Sequence, residues 1–167
     1  MRAARRGSEA AVEELFDRHW RDAYRVALLV TGDAAAAEDI AQEAFLAALR
    51  ALPRFDLRRP LGPWLHRIVV NRAIDWCRAR TLRAEVAASA AGDPPAREQV
   101  SITGLGDAAA AALMRLSPEH RAVVVMRYLL ELTPGEIARA LDLPRGTVNS
   151  RLRRGLDALG DLMQERP

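Results

Sequence analysis

The sequence predicts an all-α protein made of two small helical domains joined by a flexible linker. Apolar residues recur at three- and four-residue steps on both sides of the chain's middle, and no stretch shows period-two alternation enriched in β-branched residues. Between the two blocks lies VAASAAGDPPAREQVSITGLGDAAAAA, residues 86–112, with small side chains, no aromatics and a Pro94-Pro95 pair that no continuous helix accommodates. Charge divides the chain in the same way. Residues 1–85 hold 15 basic and 12 acidic groups, residues 86–112 hold 1 and 3, and residues 113–167 hold 9 and 7. Two modules with a basic balance on a mildly acidic tether, 1–85 and 113–167 around 86–112, is the resulting division.

A length of 167 residues suits one ordinary domain or two small ones, and 50% hydrophobic with 28% charged residues is too apolar for general disorder. The formal charge is +3, and all 25 basic residues are Arg. Arg supplies a planar, always charged donor fork suited to phosphates and bases, although a GC-rich coding bias would produce the same composition.

Several classes drop out. The apolar runs Val26–Val30 and Ala108–Met114 fall far short of the roughly 18 to 20 residues that cross a bilayer. The start, Met1-Arg2-Ala3-Ala4-Arg5-Arg6, runs into Glu9, Glu13 and Glu14 instead of an apolar segment, so it is no signal peptide, and a cytoplasmic location is expected. Cys77 is the only cysteine and reads as a small buried hydrophobe; His19, His66 and His120 are scattered. Neither a metal centre nor a nucleophile-and-base pair is evident, so no cofactor and no enzymatic activity are expected.

In the first block, Ser8 can cap a helix to about Thr31, Gly32 can stop it, and Asp33 can cap a second helix to about Leu52, before Pro53. The loop from Arg54 to Gly62 leads to Pro63, suited to the first turn of a third helix reaching about Arg83. In the second block, Ser117-Pro118 opens a helix to about Leu130. Thr133-Pro134-Gly135-Glu136 is a capping box for a short helix to about Leu141, and the turn Asp142 to Thr147 leads into a last helix to about Gln164. Short helix, tight turn and longer basic helix is the order of a helix-turn-helix, whose second member enters the major groove.

On the last helix, Val148, Leu152, Leu156, Leu159, Leu162 and Met163 form one stripe and are expected in the core. The opposite face carries Thr147, Ser150 and Arg154, flanked by Asn149, Arg151 and Arg153, with no acidic residue between Asp142 and Asp157. These side chains can bond base edges and phosphates. On the third helix of the first block, Val70, Ala73, Ile74 and Cys77 face inward, while Trp64, Arg67, Ile68, Asn71, Asp75 and Arg78 line the other side. An aromatic with guanidiniums suits single-stranded DNA; equally, Trp64 and Ile68 could pack on the first helix and leave the polar groups wet. The helix from Ala34 to Leu52 is apolar nearly all round, which fits either burial between its neighbours or docking of a partner.

Glu38-Asp39-Ile40-Ala41-Gln42-Glu43-Ala44-Phe45, then Trp64-Leu65-His66-Arg67-Ile68 with Asn71 and Asp75, then Gly146-Thr147-Val148-Asn149-Ser150-Arg151-Leu152 resemble the region-two and region-four signatures of bacterial extracytoplasmic-function (ECF) sigma factors of the sigma-70 family. The resemblance covers about residues 9–83 and 113–163. It implies a dissociable subunit of RNA polymerase. Asp39, Gln42, Glu43 and Phe45 would bind the clamp helices of the largest polymerase subunit. The loop Leu57 to Gly62, including Arg58 and Arg59, and the stripe of Trp64, Arg67, Asn71, Asp75 and Arg78 would capture the melting minus-ten element. Arg145, Thr147, Asn149, Ser150, Arg151, Arg153 and Arg154 would read the minus-thirty-five element, with Arg154 the first choice for a guanine contact. The linker would thread through the polymerase, and an anti-sigma factor would hold the protein inactive. The pattern departs from the family's at Gly62-Pro63, Thr133-Pro134 and Asn149. The competing reading from the residues is a free-standing dimeric helix-turn-helix regulator, which would bind duplex DNA alone with a two-half-site footprint.

Overall fold

The computed structural model describes residues 1–89 and 106–164. Eight α-helices follow one another in them: α1 Arg2–Arg5, α2 Glu9–Thr31, α3 Ala34–Ala51, α4 Leu61–Ser89, α5 Asp107–Arg115, α6 Pro118–Tyr128, α7 Pro134–Leu141 and α8 Arg145–Gln164, with a single 3₁₀ turn, Leu52–Arg54, after α3. No strand occurs among the described residues, and the protein is all-α with two helical domains.

Local chemistry accounts for most helix boundaries. Gly32 adopts a left-handed conformation, φ 67°, and its N–H closes α2 onto the Leu28 carbonyl. Asp33 then accepts from the Ala36 N–H at the start of α3. Ser117 accepts from His120 with Pro118 in the first turn. Thr133 and Glu136 form a complete capping box at α7, and the Glu136 carboxylate also takes the Thr133 hydroxyl at 2.7 Å. Those two bonds from Thr133 hold the exposed Glu136 carboxyl below its ordinary range. Ser8 stands at the head of α2 without a side-chain bond to it.

Three expectations need correction. The third helix of the first block runs past Arg83 to Ser89, so its last residues come from the stretch read as linker. Residues 107–112, read as the end of that linker, belong to α5, with Ala110 and Ala112 buried beside Leu113. An alanine-rich segment has no side-chain stripe to announce itself; burial against other helices fixes it. The rest of the linker assignment, residues 90–105, lies outside the described residues. Finally, the apolar stripe of α8 is shorter than expected: Val148, Leu152 and Gly155 are buried, whereas Leu156 and Met163 are exposed.

In the first domain α2, α3 and α4 pack on one another, with Val26, Val30, Ile40, Ala44, Val69 and Val70 among the buried residues. In the second, α6 and α8 enclose Val123, Met126, Ile137 and Val148. These buried groups form one continuous cluster, because α5 and α6 pack on α2 while α6 and α7 pack on α4. A second, smaller cluster of Ala4, Leu15, Leu52 and Phe55 fastens α1 and the 3₁₀ turn to the far end of α2.

Candidate nucleic-acid interface

The last helix begins where the chain leaves α7 through Asp142 in a left-handed conformation, φ 52°. The Pro144 carbonyl accepts from the Thr147 and Val148 N–H groups, which starts α8 two residues earlier than the sequence turn suggested. Val148 and Leu152 anchor the helix inward and aim the other side at solvent. Arg145, Asn149, Arg153 and Arg154 are exposed, while Thr147, Ser150 and Arg151 are half-buried. Of the expected centre, Arg154 is exposed while Thr147 and Ser150 are half-buried, so the open side of the helix lies toward Arg153.

On α4, Leu65, Val69, Val70, Ala73 and Cys77 are buried, which leaves Arg67, Asn71, Asp75 and Arg78 on the exposed side as the periodicity implied. Trp64 is half-buried, with its ring 4.5 Å from that of Phe55. Asn71 donates from Nδ2 to the Ala140 carbonyl of α7 at 3.4 Å. Arg78 lies 3.7 Å from Asp75 and donates from Nε to the Glu119 carboxylate of α6 at 3.0 Å. Burial pushes the Glu119 carboxyl upward, but its own backbone N–H, the Arg78 guanidinium and the Arg151 charge together outweigh this and hold it below its ordinary value. In the loop before α4, Asp56 accepts from the Arg58 N–H and Nε, both at 3.1 Å, and that bonding depresses its carboxyl. Arg58 and Arg59 project outward.

The α3 face differs from the expectation. Phe45 is buried, its ring 5.0 Å from Phe16 and 6.0 Å from Trp20, so it belongs to the α2–α3 core and offers no docking surface. Helical periodicity marks a stripe without saying which stripe the neighbouring helix covers. Asp39, Gln42 and Glu43 are exposed, Glu43 pairing with Arg72 of α4 at 2.8 Å. The apolar group among them is Leu46, 51% exposed.

The family profile described as Sigma-70 region 2 matches residues 15–83, covering most of α2, all of α3 and most of α4, and that described as Sigma-70, region 4 matches residues 107–159, covering α5 to most of α8. The ECF RNA polymerase sigma factor SigW of Bacillus subtilis is 32% identical over 173 residues, spanning 95% of this chain and 92% of the relative. This chain belongs to the ECF RNA polymerase sigma factors. SigL of Mycobacterium tuberculosis, of the same family, is 36% identical over 160 residues, 93% of this chain and 90% of its own length. The solved structure of CnrH in complex with the cytosolic domain of CnrY superposes with a TM-score of 0.69 at 26% identity, covering 98% of this chain and 94% of that one.

An ECF sigma factor is a transcription initiation factor, and this chain is accordingly an alternative sigma factor that directs transcription. Among the described residues no helix is long and apolar enough to cross a membrane. Three residues of the sigma factor's architecture escaped the sequence reading: Glu119, Arg121 and Gly155. Arg121 carried a readable signal, since it stands four residues before Val125 and three before Val124, on the buried side of α6. A cation on a buried stripe needs acceptors from somewhere, and here a different domain provides one.

Proposed function

We propose that this sigma factor carries both promoter contacts on the two arginine-bearing faces described above. In this reading α8 lies in the major groove of the minus-thirty-five element, with Arg153, Arg154 and Asn149 toward the bases and Arg145 toward phosphate, while Thr147, Ser150 and Arg151 flank them. Arg58, Arg59 and the α4 residues Trp64, Arg67, Asn71, Asp75 and Arg78 take the non-template strand of the minus-ten element. A base drawn out of the stack there makes melting and recognition one event, at a cost of a few kcal/mol that pocket contacts repay. Asp39, Gln42 and Glu43, joined by Leu46 in place of Phe45, dock on the clamp helices of the largest polymerase subunit.

The observation that carries this reading is the α7–turn–α8 unit, whose capping box and buried Val148 present to solvent an arginine face with no acidic residue between Asp142 and Asp157. The protein works in the cytoplasm, contributes no catalysis of its own and is restrained by an anti-sigma factor. A protein partner is supported by the complex of CnrH with the cytosolic domain of CnrY, a likeness spanning nearly the whole chain. The deciding experiment adds the purified protein to bacterial core polymerase and maps transcripts. Promoter-dependent initiation is expected, and failure to bind the core enzyme would overturn the reading.

A further inference from the structure

The loop before α4 rests on a small apolar cluster of its own. Phe55 is buried there with Leu52, Leu15 of α2 and Ala4 of α1, and Leu57 in the loop packs on that group together with Leu61 and Trp64 at the head of α4. Trp64 also packs on the main core, so its indole bridges the two clusters, with the Phe55 ring 4.5 Å away and inclined by 40°. Ala4 comes from a helix of only four residues. So short a helix has no stability of its own in water. What holds α1 is the burial of Ala4, the half-burial of Met1, and the Gly7 and Ser8 N–H groups, which donate to the Ala4 and Ala3 carbonyls at 3.0 and 3.1 Å. Gly7, at φ 86°, makes the turn from α1 into α2. The Sigma-70 region 2 match begins at residue 15, so α1 and the first turns of α2 stand outside it.

We propose that α1 is a positioning element of the minus-ten face: Ala4 holds Phe55, and Phe55 holds Trp64 in the orientation that stacks on an unpaired base, given the reading of that loop and Trp64 as the face that takes the non-template strand. A stacking platform acts through its geometry, and its geometry is only as firm as the side chains packed behind it. Without α1 the cluster keeps Leu15, Leu52 and Phe55 around a gap, and side chains beside a gap lose contacts or shift. None of Ala4, Leu15, Leu52 and Phe55 belongs to the main core, so the loss falls on the ring and the loop and spares the fold. Arg2, Arg5 and Arg6 are exposed on the same segment, and a direct hold by them on DNA phosphate is the rival account.

The test uses the full chain bound to core polymerase and reads, by anisotropy, the affinity for a fluorescein-labelled single strand carrying the non-template minus-ten element of a promoter that this holoenzyme transcribes. Ala4→Asp puts a carboxylate into the cluster and keeps every arginine; Phe55→Leu keeps the cluster apolar and removes the ring beside Trp64. Each should weaken binding about tenfold, the size of one base–aromatic stack. Trp64→Leu should do at least as much, and adding Ala4→Asp to it should change the affinity by less than about twofold, because both losses run through one ring. A triple variant, Arg2→Gln with Arg5→Gln and Arg6→Gln, should stay within about twofold of the parent. Circular dichroism and core-binding titration should match the parent throughout. If Ala4→Asp fails either check, Ala4→Gly, which only deletes the buried methyl and loosens α1, is read in its place, with a loss of about threefold expected. Parent-like affinity in the Ala4 variants, or a loss that adds in full to that of Trp64→Leu, would overturn the positioning role and leave the minus-ten reading standing. A loss confined to the arginine variant would overturn it in favour of phosphate contact. Parent-like binding by Trp64→Leu would overturn the minus-ten reading, and the positioning role with it.

Discussion

Gly155 of α8 faces Val124 of α6 so closely that a Cβ on the glycine would stand 3.1 Å from the Val124 Cγ2, and 3.6 Å from the His120 backbone oxygen. The two helices enclose the core of the second domain, so their separation is set at this point. Gly155→Leu forces them apart and is expected to cost about 1–3 kcal/mol, the usual range for overpacking. Gly160→Ala, five residues on with nothing within 4 Å of its added Cβ, is expected to gain up to about 1 kcal/mol from helix propensity. Urea denaturation of both variants checks the contrast; equal effects would mean that Gly155 is a propensity defect and not a packing contact.

What could be read in advance follows the range of the interaction. Gly32, Asp33, Ser117 and the Thr133–Glu136 box act within four residues of themselves, so the helix boundaries they set are visible in the chain. The inward side of α4 was also visible, since Val70, Ala73, Ile74 and Cys77 keep one helical phase. Helix α5 was not, because Ala110 and Ala112 are buried by contact with distant helices and carry no pattern of their own. The same reason explains Phe45 and Arg121: sequence gives a face, and only the neighbouring helix decides whether that face is covered. The site residues divide likewise. Their spacing put them on shared faces, but the contacts from Asn71 and Arg78 to the second domain join residues 69 and 41 positions apart.

Phe45 and Leu46 are adjacent and should behave oppositely. Phe45 fills the aromatic cluster with Phe16 and Trp20, and Phe45→Ala is expected to cost about 3–5 kcal/mol in stability. Leu46 is half exposed, so Leu46→Ala should leave stability within about 0.5 kcal/mol while weakening core polymerase binding several-fold. Thermal melts and a core-binding titration separate the two; a Leu46→Ala protein with undiminished core binding would remove this residue from the docking surface.

Acid should weaken the fold through its histidines before the carboxylates titrate. Burial lowers the His66 pKa, against a partial upward pull from Asp22, and burial followed by the Arg18 charge lowers that of His19. The unfolded chain accepts protons near pH 6.5 and the folded one resists them, so this contribution is whole above about pH 6.5 and is lost as pH falls through that value toward the lowered folded pKa. The slope is at most about 1.4 kcal/mol per pH unit for each group that changes by a full proton. Urea midpoints from pH 7.5 down to 5.5 should fall, and His66→Gln should flatten the descent; an unchanged slope in that variant would place the effect elsewhere.

Arg154 tests whether α8 reads bases or merely holds DNA. It is exposed beside Arg153, one turn and a residue beyond Asn149, and the first carboxylate after it on the helix is Asp157, three residues on. An arginine bidentate to guanine discriminates by about 1–3 kcal/mol at one base pair, whereas a phosphate contact weakens all sequences alike. Transcription by the holoenzyme from a set of single-base minus-thirty-five variants tells the two apart. Arg154→Ala should flatten the preference at one position and spare the others. Arg154→Lys, which keeps the charge and loses the planar fork, should not restore it. Arg145→Ala, at the first turn of the helix where backbone N–H groups already favour an anion, should lower all variants together and make transcription less salt-sensitive. If Arg154→Ala instead gives that uniform loss, Arg154 is a phosphate clamp, and the base-reading role passes to Asn149 and Arg153 on the same exposed face.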